Sequence, residues 1–458
     1  MKLHLPKGLR KAVMACMAAL TTLTTTVGTG IITGGAIVFT AHTANAEALT
    51  NDAAEITENI TIGEGNSYEL NSTGNQVVKA TIDLAGGTLQ AFAGANNRVK
   101  TIQELTGSGK IQDNNWNTLW QIDALNGDGN ITWETIGTHT VASILYINGG
   151  NYGGELTYYK TTGQNLWGNG AYQTVVQINE GGANTMQNAV LNLAGKDAER
   201  YSMLALNATT VALKGLKGTA HSIIYAGEQS TANNTCVNKP TGSGAATLSI
   251  KNNGETDYVY GGEIVSGVTL ALNGGKQTLG NAIVNGNITV NQGALTVDGG
   301  KLNGTVSVSA NGQLTATGAI TLLNAISSAG TVDISGLESL TLGSNIIDSA
   351  QNEGAITTYT IINGGTIAGA EALTSDILKA TIQADGIQTN GTDWTFANGK
   401  LVVTLTSEEL TWSGGNLTWQ DGAVLDDGGV FDQEDSVTFK TAGALTATLA
   451  EDITALNV

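Results

Sequence analysis

Cysteine is nearly absent from this chain: Cys16 and Cys236 are the only two in 458 residues. That excludes a disulfide scaffold and a cysteine-built zinc site. Proline is as scarce, at Pro6 and Pro240, and charged residues make up only 13%. Disordered chains are usually rich in both, so the profile argues against disorder. Aromatic residues reach 5%. A core must therefore be built from Val, Ile, Leu, Ala and Thr, which suits thin, stacked β-structure better than a globular interior. Basic residues number 20 against 39 acidic, a formal charge of −19. This balance disfavours nucleic acid and anionic membrane surfaces as partners.

What the chain has in quantity is glycine, 61 residues of it, and a repeated phrase. Residues 288–318 read ITVNQGALTVDGGKLNGTVSVSANGQLTATG. Ile288-Thr289-Val290 returns 18 positions on as Val306-Ser307-Val308, and Leu295-Thr296-Val297 returns 19 positions on as Leu314-Thr315-Ala316. Within each phrase apolar and polar residues alternate, so one face is buried. The Asn-Gly, Asp-Gly and Gly-Gly linkers turn the chain through positive φ at little cost. If each 18–19-residue unit makes one circuit, the next circuit lies on it in register and like residues stack on like. The predicted fold is all-β, an elongated parallel β-helix, or β-solenoid.

The beat extends beyond the quoted segment. Ile224-Tyr225-Ala226-Gly227-Glu228 returns 35 positions on as Val259-Tyr260-Gly261-Gly262-Glu263, read as two coils. Ile147-Asn148-Gly149-Gly150 and Ile361-Ile362-Asn363-Gly364-Gly365 share a strand–Asn-Gly-Gly ending. Residues 367–380 are the best local candidate for a short helix or turn. Scarce proline fits a solenoid, in which each strand donates backbone hydrogen bonds to the next coil. At about 20 residues and ~4.8 Å per coil, the 412 residues that follow position 46 (458 − 46) would make a rod on the order of 100 Å long.

Residues 1–46 read as an export signal. Lys2, Lys7, Arg10 and Lys11 form a basic start without acids, an apolar and Thr-rich tract follows, and Ala44-Asn45-Ala46 gives a small-x-small cleavage pattern. The competing reading is a membrane anchor, which the Thr and Gly content of 21–35 disfavours. No apolar region precedes Cys16, so a lipoprotein cysteine is disfavoured as well. Removal of the signal leaves 16 basic against 39 acidic residues, a charge of −23, and Cys236 as the sole cysteine. The remainder divides into an irregular β-helical stretch at 47–255, regular repeats at 256–390 and a distinct C-terminal segment at 391–458.

In that last segment Trp412 and Trp419 frame Ser-Gly-Gly-Asn-Leu-Thr, and Asp435-Ser436-Val437-Thr438-Phe439 opens a strand. Alternation continues through Leu445-Thr446-Ala447-Thr448-Leu449. The W-x-G-G-x-x-x-W opening, the D-S-V-T-F strand and the closing Ala/Thr/Leu run resemble the autotransporter-associated β-strand repeat of type V secreted passenger domains in Gram-negative bacteria. The resemblance covers only the stretch from Trp394 to Val458. It implies a right-handed parallel β-helix, exported through the inner membrane to the cell surface, the outer membrane or the medium. It also implies a C-terminal membrane barrel. Nothing after residue 400 gives the serial alternating strands of a barrel, and the sequence stops in mid-strand at Val458. The expectation is a fragment of a longer protein that would meet a membrane only through that barrel; the alternative is a complete rod with an unusual cap.

No catalytic constellation stands out. Gly137-Thr138-His139-Thr140-Val141-Ala142 approaches the catalytic-histidine segment of subtilisin-like proteases. However, Thr140 interrupts the pattern and no Gly-Thr-Ser nucleophile segment follows. Beyond the signal only His139 and His221 remain, no Gly-x-Ser-x-Gly elbow occurs, and Gly274-Gly275-Lys276-Gln277 lacks the ends of a phosphate loop. Asp426, Asp427, Asp432, Glu434 and Asp435 match no calcium loop and read better as a solvated turn. The reading therefore assigns no catalytic residue, no metal and no cofactor. Residues 113–134 are richer in chemistry. Aromatic faces can stack on sugars, so Trp116 and Trp120 with Asp113 and Asp123 are the candidate carbohydrate-binding residues; Asp128 and Glu134 lie close by. The competing reading packs these tryptophans in the core. Functionally, the sequence favours a surface rod, adhesive or structural, whose partners would be glycans or proteins of host or neighbouring cells. A secreted polysaccharide-degrading β-helix and a self-assembling surface layer are the alternatives.

Overall fold

The computed structural model describes residues 49–70, 74–91, 98–113, 118–136, 143–161, 172–197, 200–228, 244–343, 345–346, 357–371, 382–384, 393–397 and 400–405, with short strands beyond. Alternating apolar residues make its strands, and parallel pairing in register stacks them into a β-solenoid of about 11 turns. Three ladders run the length of the stack. The first is carried by such strands as Thr88–Ala91, Gly109–Asp113, Ile131–Thr135 and Glu155–Lys160. The second is carried by Arg98–Thr106, Thr118–Gly127, Ser143–Ile147, Tyr172–Asn179, Arg200–Asn207 and Ser222–Ala226. The third includes Thr210–Leu213 and Ala246–Ile250.

A single inward column shows the stacking. Tyr68, Leu89, Ile111, Trp133, Tyr158, Leu193, Gly218, Tyr260, Leu279, Val297 and Ala316 are successive register partners in the first ladder. Residue size is matched along it: a side chain at Gly218 would run into the Tyr260 ring, 2.7 Å away. Each buried Leu or Ile contributes about 1.5–3 kcal/mol of transfer free energy, so the core of the stack is its main source of stability.

The repeat of the sequence is the register of the fold. Ile288 pairs with Val306, Thr289 with Ser307, Val290 with Val308 and Leu295 with Leu314. Here one strand runs round all three faces: Asn287–Leu302 and Val306–Leu322 each make most of a coil. The longer return reads differently in three dimensions. Ile224 is the register partner of Ile264, one layer away, and Tyr260 lies over Gly218. The likeness of 224–228 to 259–263 thus spans not two coils but one, lengthened by the segment 229–243. Coils elsewhere in the first half are lengthened as well; Tyr158 and Leu193, far apart in the chain, are direct partners. About 11 turns at ~4.8 Å give the described stack a length of roughly 50 Å, because its coils in the first half are longer than about 20 residues.

Two departures from simple stacking matter. In the second ladder the strands Ser143–Ile147 and Ser222–Ala226 are buried along both faces. Their outward residues Ile144, Tyr146, Ile223 and Tyr225 join Val175 and Met203 in a second apolar cluster outside the coil. Continuous apolar runs are the signature of parallel strands covered on both sides. Near the C-terminal end, Thr357–Asn363 pairs antiparallel with Lys400–Leu405, which also pairs antiparallel with Asp393–Ala397. Beneath this change, Leu302, Ala316, Leu322, Ile334 and Ile361 line an apolar cavity. Beyond it parallel pairing returns: Glu409–Trp412 pairs with Ser436–Phe439, and Asn416–Trp419 with Thr446–Leu449. The expected strand at Asp435–Phe439 is therefore present from Ser436. The helix candidate at 367–380 opens in the strand Thr366–Ala368; Ala370 and Glu371 are then helical, and residues 372–380 lie outside the described residues.

Candidate functional site

Polar side chains concentrate at the inner corner where the first ladder hands the chain to the second. On the first-ladder side, Asp113, Thr135 and Lys160 are register partners, all at least 98% buried. On the second-ladder side, Ser143, Thr174, Ser202 and Ser222 form a register column, also buried. Buried hydroxyls need partners, and most find them across the corner. Ser143 Oγ donates to Asp113 Oδ2 at 2.6 Å, Ser202 Oγ to the Tyr158 carbonyl at 3.0 Å, and Ser222 Oγ to the Leu193 carbonyl at 2.6 Å. Tyr158 Oη donates to the Ser143 carbonyl at 3.1 Å, and its burial, with the Asp113 charge, pushes its pKa well above the ordinary phenol value. Lys100, fully buried, donates to Gln76 Oε1 at 3.0 Å.

Several acidic groups of the outer surface are bound into the stack. Asp123 accepts the Asn148 amide at 3.1 Å, Asn148 accepts that of Asn179 at 2.7 Å, and Asn179 accepts that of Asn207 at 3.0 Å. A second ladder starts at Glu263, which accepts from Asn285 at 2.9 Å, and Asn285 accepts from Asn303 at 2.7 Å. In both, every amide donates towards the N-terminal layer and a carboxylate closes the row. Glu104 accepts from Thr81 at 2.6 Å and Asn126 at 2.8 Å, which hold its carboxyl below the ordinary range. Burial alone would raise Glu134, but Lys110, Gln112 and Thr161 outweigh it and lower its pKa. Burial opposes Lys217 and Asn192 at Glu155 with the same outcome. Carboxylates held down in this way are ionised and engaged near neutral pH. A general acid needs the opposite shift.

Three of the four candidate carbohydrate residues are described, and they do not share one face. Asp113 lies inside the corner and Trp120 inside the coil, both fully buried. The Trp120 ring meets Trp133 edge-on, centroids 5.1 Å apart, and neither of its faces is open to solvent. Asp123 stands outside, at the foot of the asparagine ladder. Trp116 lies outside the described residues, as do Ala44, Ala46, Cys16, Cys236, His139, Trp167 and the acidic group Asp426–Asp435. Asp128 is exposed, and His221 packs edge-on against Tyr201 at 5.6 Å. Among the described residues no three His, Cys, Asp or Glu side chains are placed to hold a metal ion, and no helix is long and apolar enough to cross a membrane.

The asparagine ladders are the feature that reading for turns missed. The signal was in the sequence, since Asn285-Gly286 returns one repeat later as Asn303-Gly304. The glycines turn the chain, while the asparagines stack. No family model, curated protein or solved structure matches the chain.

Proposed function

We propose that this protein is the exported, surface-displayed rod of an autotransporter-type system, acting non-enzymatically as an adhesin or structural spacer. The observation that supports the reading most is the outer surface of the regular coils. Thr296 and Thr315 are register partners on one face, and Thr289, Ser307 and Ser327 form a register column on another. Each coil repeats small hydrogen-bonding groups at the layer spacing, which favours many weak, parallel contacts over one deep site. The engaged state of Glu104, Glu134, Glu155 and Glu263 points the same way. Partners of this chemistry are neutral glycans or proteins on host or neighbouring cells.

Binding of the purified protein to whole cells and to immobilised neutral and acidic glycans, with product analysis, tests the proposal. Retention without turnover is expected. Depolymerisation of an acidic glycan, abolished by Asp123→Asn or Asp128→Asn, would replace this reading with a polysaccharide-degrading one. Ordered arrays of the protein alone under the electron microscope would replace it with a self-assembling layer.

A further inference from the structure

Asn-Gly is a labile dipeptide: a glycine nitrogen, with no Cβ beside it, reaches the preceding side chain more readily than that of a bulkier residue. The coils of this chain turn on Asn-Gly repeatedly. At most of these steps the asparagine side-chain nitrogen, the group that must leave, is committed to the neighbouring layer. Asn126 donates to Glu104 at 2.8 Å, Asn148 to Asp123 at 3.1 Å, Asn273 to Ser249 at 2.8 Å, Asn285 to Glu263 at 2.9 Å and Asn303 to Asn285 at 2.7 Å. The side-chain oxygens of Asn126, Asn148, Asn273 and Asn285 accept in turn from the next layer. Asn311 and Asn363 are exposed, but both lie in strands, where pairing with Gln292 and Ser327 holds the backbone.

Asn253 differs from all of these. It is exposed and outside any strand, in the segment 251–258 that joins Ala246–Ile250 to Val259–Tyr260. Its side-chain nitrogen donates to no described group. Its oxygen accepts only the Glu255 N–H, at 3.4 Å, which is long for a hydrogen bond. The glycine that follows is required by the turn, since Gly254 has φ +79°, where a residue with a Cβ is strained. Its neighbour Asn252 anchors the turn instead. Asn252 Oδ1 accepts the N–H of Gly254 and of Lys276, each at 2.9 Å, and its amide donates to the Lys214 and Lys276 carbonyls.

We propose that Asn253 is a site of spontaneous deamidation, and that the side-chain rows between layers protect the laddered Asn-Gly steps from the same reaction. Gly254 N forms a bond to Asn253 Cγ, the Cγ–Nδ2 bond breaks, and ammonia leaves with the proton of the glycine amide. Water then opens the cyclic imide to aspartate or isoaspartate. At Asn253 the attack requires Gly254 N–H to release Asn252. At Asn285 it must also break the side-chain bonds to Glu263 and Asn303, and its product would set a second carboxylate beside Glu263. Each event at Asn253 adds a negative charge to an exposed turn that already holds Glu255 and Asp257. This chemistry is independent of the adhesive reading and would proceed whatever the rod binds.

Ageing of the folded full-length chain in mildly alkaline buffer, followed by peptide mapping with mass spectrometry, tests the proposal. Cleavage after Lys251 and Lys276 releases residues 252–276 as one peptide, which carries both Asn253 and Asn273 and so compares a free step with a laddered one directly. Asn253 should convert at least about tenfold faster than Asn273, Asn285 and Asn303. In guanidinium chloride the rates should converge, because every one of these steps is then an unfolded Asn-Gly. Equal rates in the folded chain would overturn the proposal, and so would a difference that survives unfolding. Ser249→Ala removes the acceptor of the Asn273 amide and should speed conversion at Asn273 several-fold in the folded chain. An unchanged rate there would overturn the protective role of the rows.

Discussion

Asn303 donates its side-chain amide to Asn285 Oδ1 at 2.7 Å, one coil down, although the two residues are 18 apart in the chain. Asn285 passes the interaction on to Glu263. Asn285→Ala would leave the half-buried Asn303 amide without its acceptor and remove one donor from Glu263, and should cost about 1–2 kcal/mol in urea unfolding. Asn285→Asp should cost more at pH 7 than at pH 4, because it sets two carboxylates side by side.

Inside the coil, Leu295 and Leu314 are both about 99% buried and directly paired. Leu295→Ala should destabilise by about 2–5 kcal/mol, and the double variant with Leu314→Ala should fall short of the sum of the singles, because both deletions empty one space. Thermal unfolding followed by circular dichroism reads both.

The apolar cavity below the antiparallel pairing gives the opposite case. Ala316 faces it. Ala316→Val should raise stability by up to about 1 kcal/mol if the methyls enter that space. A lower Tm would place the added methyls against the coil wall.

Much of this architecture was legible in the sequence, and the reason is local. In 268–342 the apolar alternation and the short return of each phrase are properties of single coils, so Ile288 and Val306 could be paired by inspection. The Ile224–Ile264 pairing could not, because 229–243 lengthens that coil and the nearest similar phrase lies at the wrong offset. Nor could Asp113 and Ser143, which meet only because two ladders turn a corner. Trp120 illustrates the limit of composition: a tryptophan among acids allows a sugar platform although packing in the core is the favoured reading, and its neighbours Trp133 and Leu145 decide that it is buried.

Stability should depend on acid in a defined direction. Glu104, Glu134 and Glu155 are held below their ordinary value of 4.5 in the folded state. Their contribution is complete above that value, which the unfolded chain keeps, and is lost as pH falls through the lower folded value. Tm should therefore vary little between pH 6 and 8 and decline below about pH 4.5, with a shallower decline in Glu134→Gln.

The parallel, in-register stack is the claim on which the rest stands, and paired cysteines test it most directly. Thr289 and Ser307 are outward register partners, within the ~4.4–6.8 Å Cα separation that a disulfide spans. In a Cys16→Ser, Cys236→Ser background, Thr289→Cys with Ser307→Cys should crosslink rapidly within one chain under mild oxidation, while Thr289→Cys with Thr305→Cys should lag far behind. Equal crosslinking of both pairs, or faster crosslinking of the offset pair, would contradict the register and with it the solenoid.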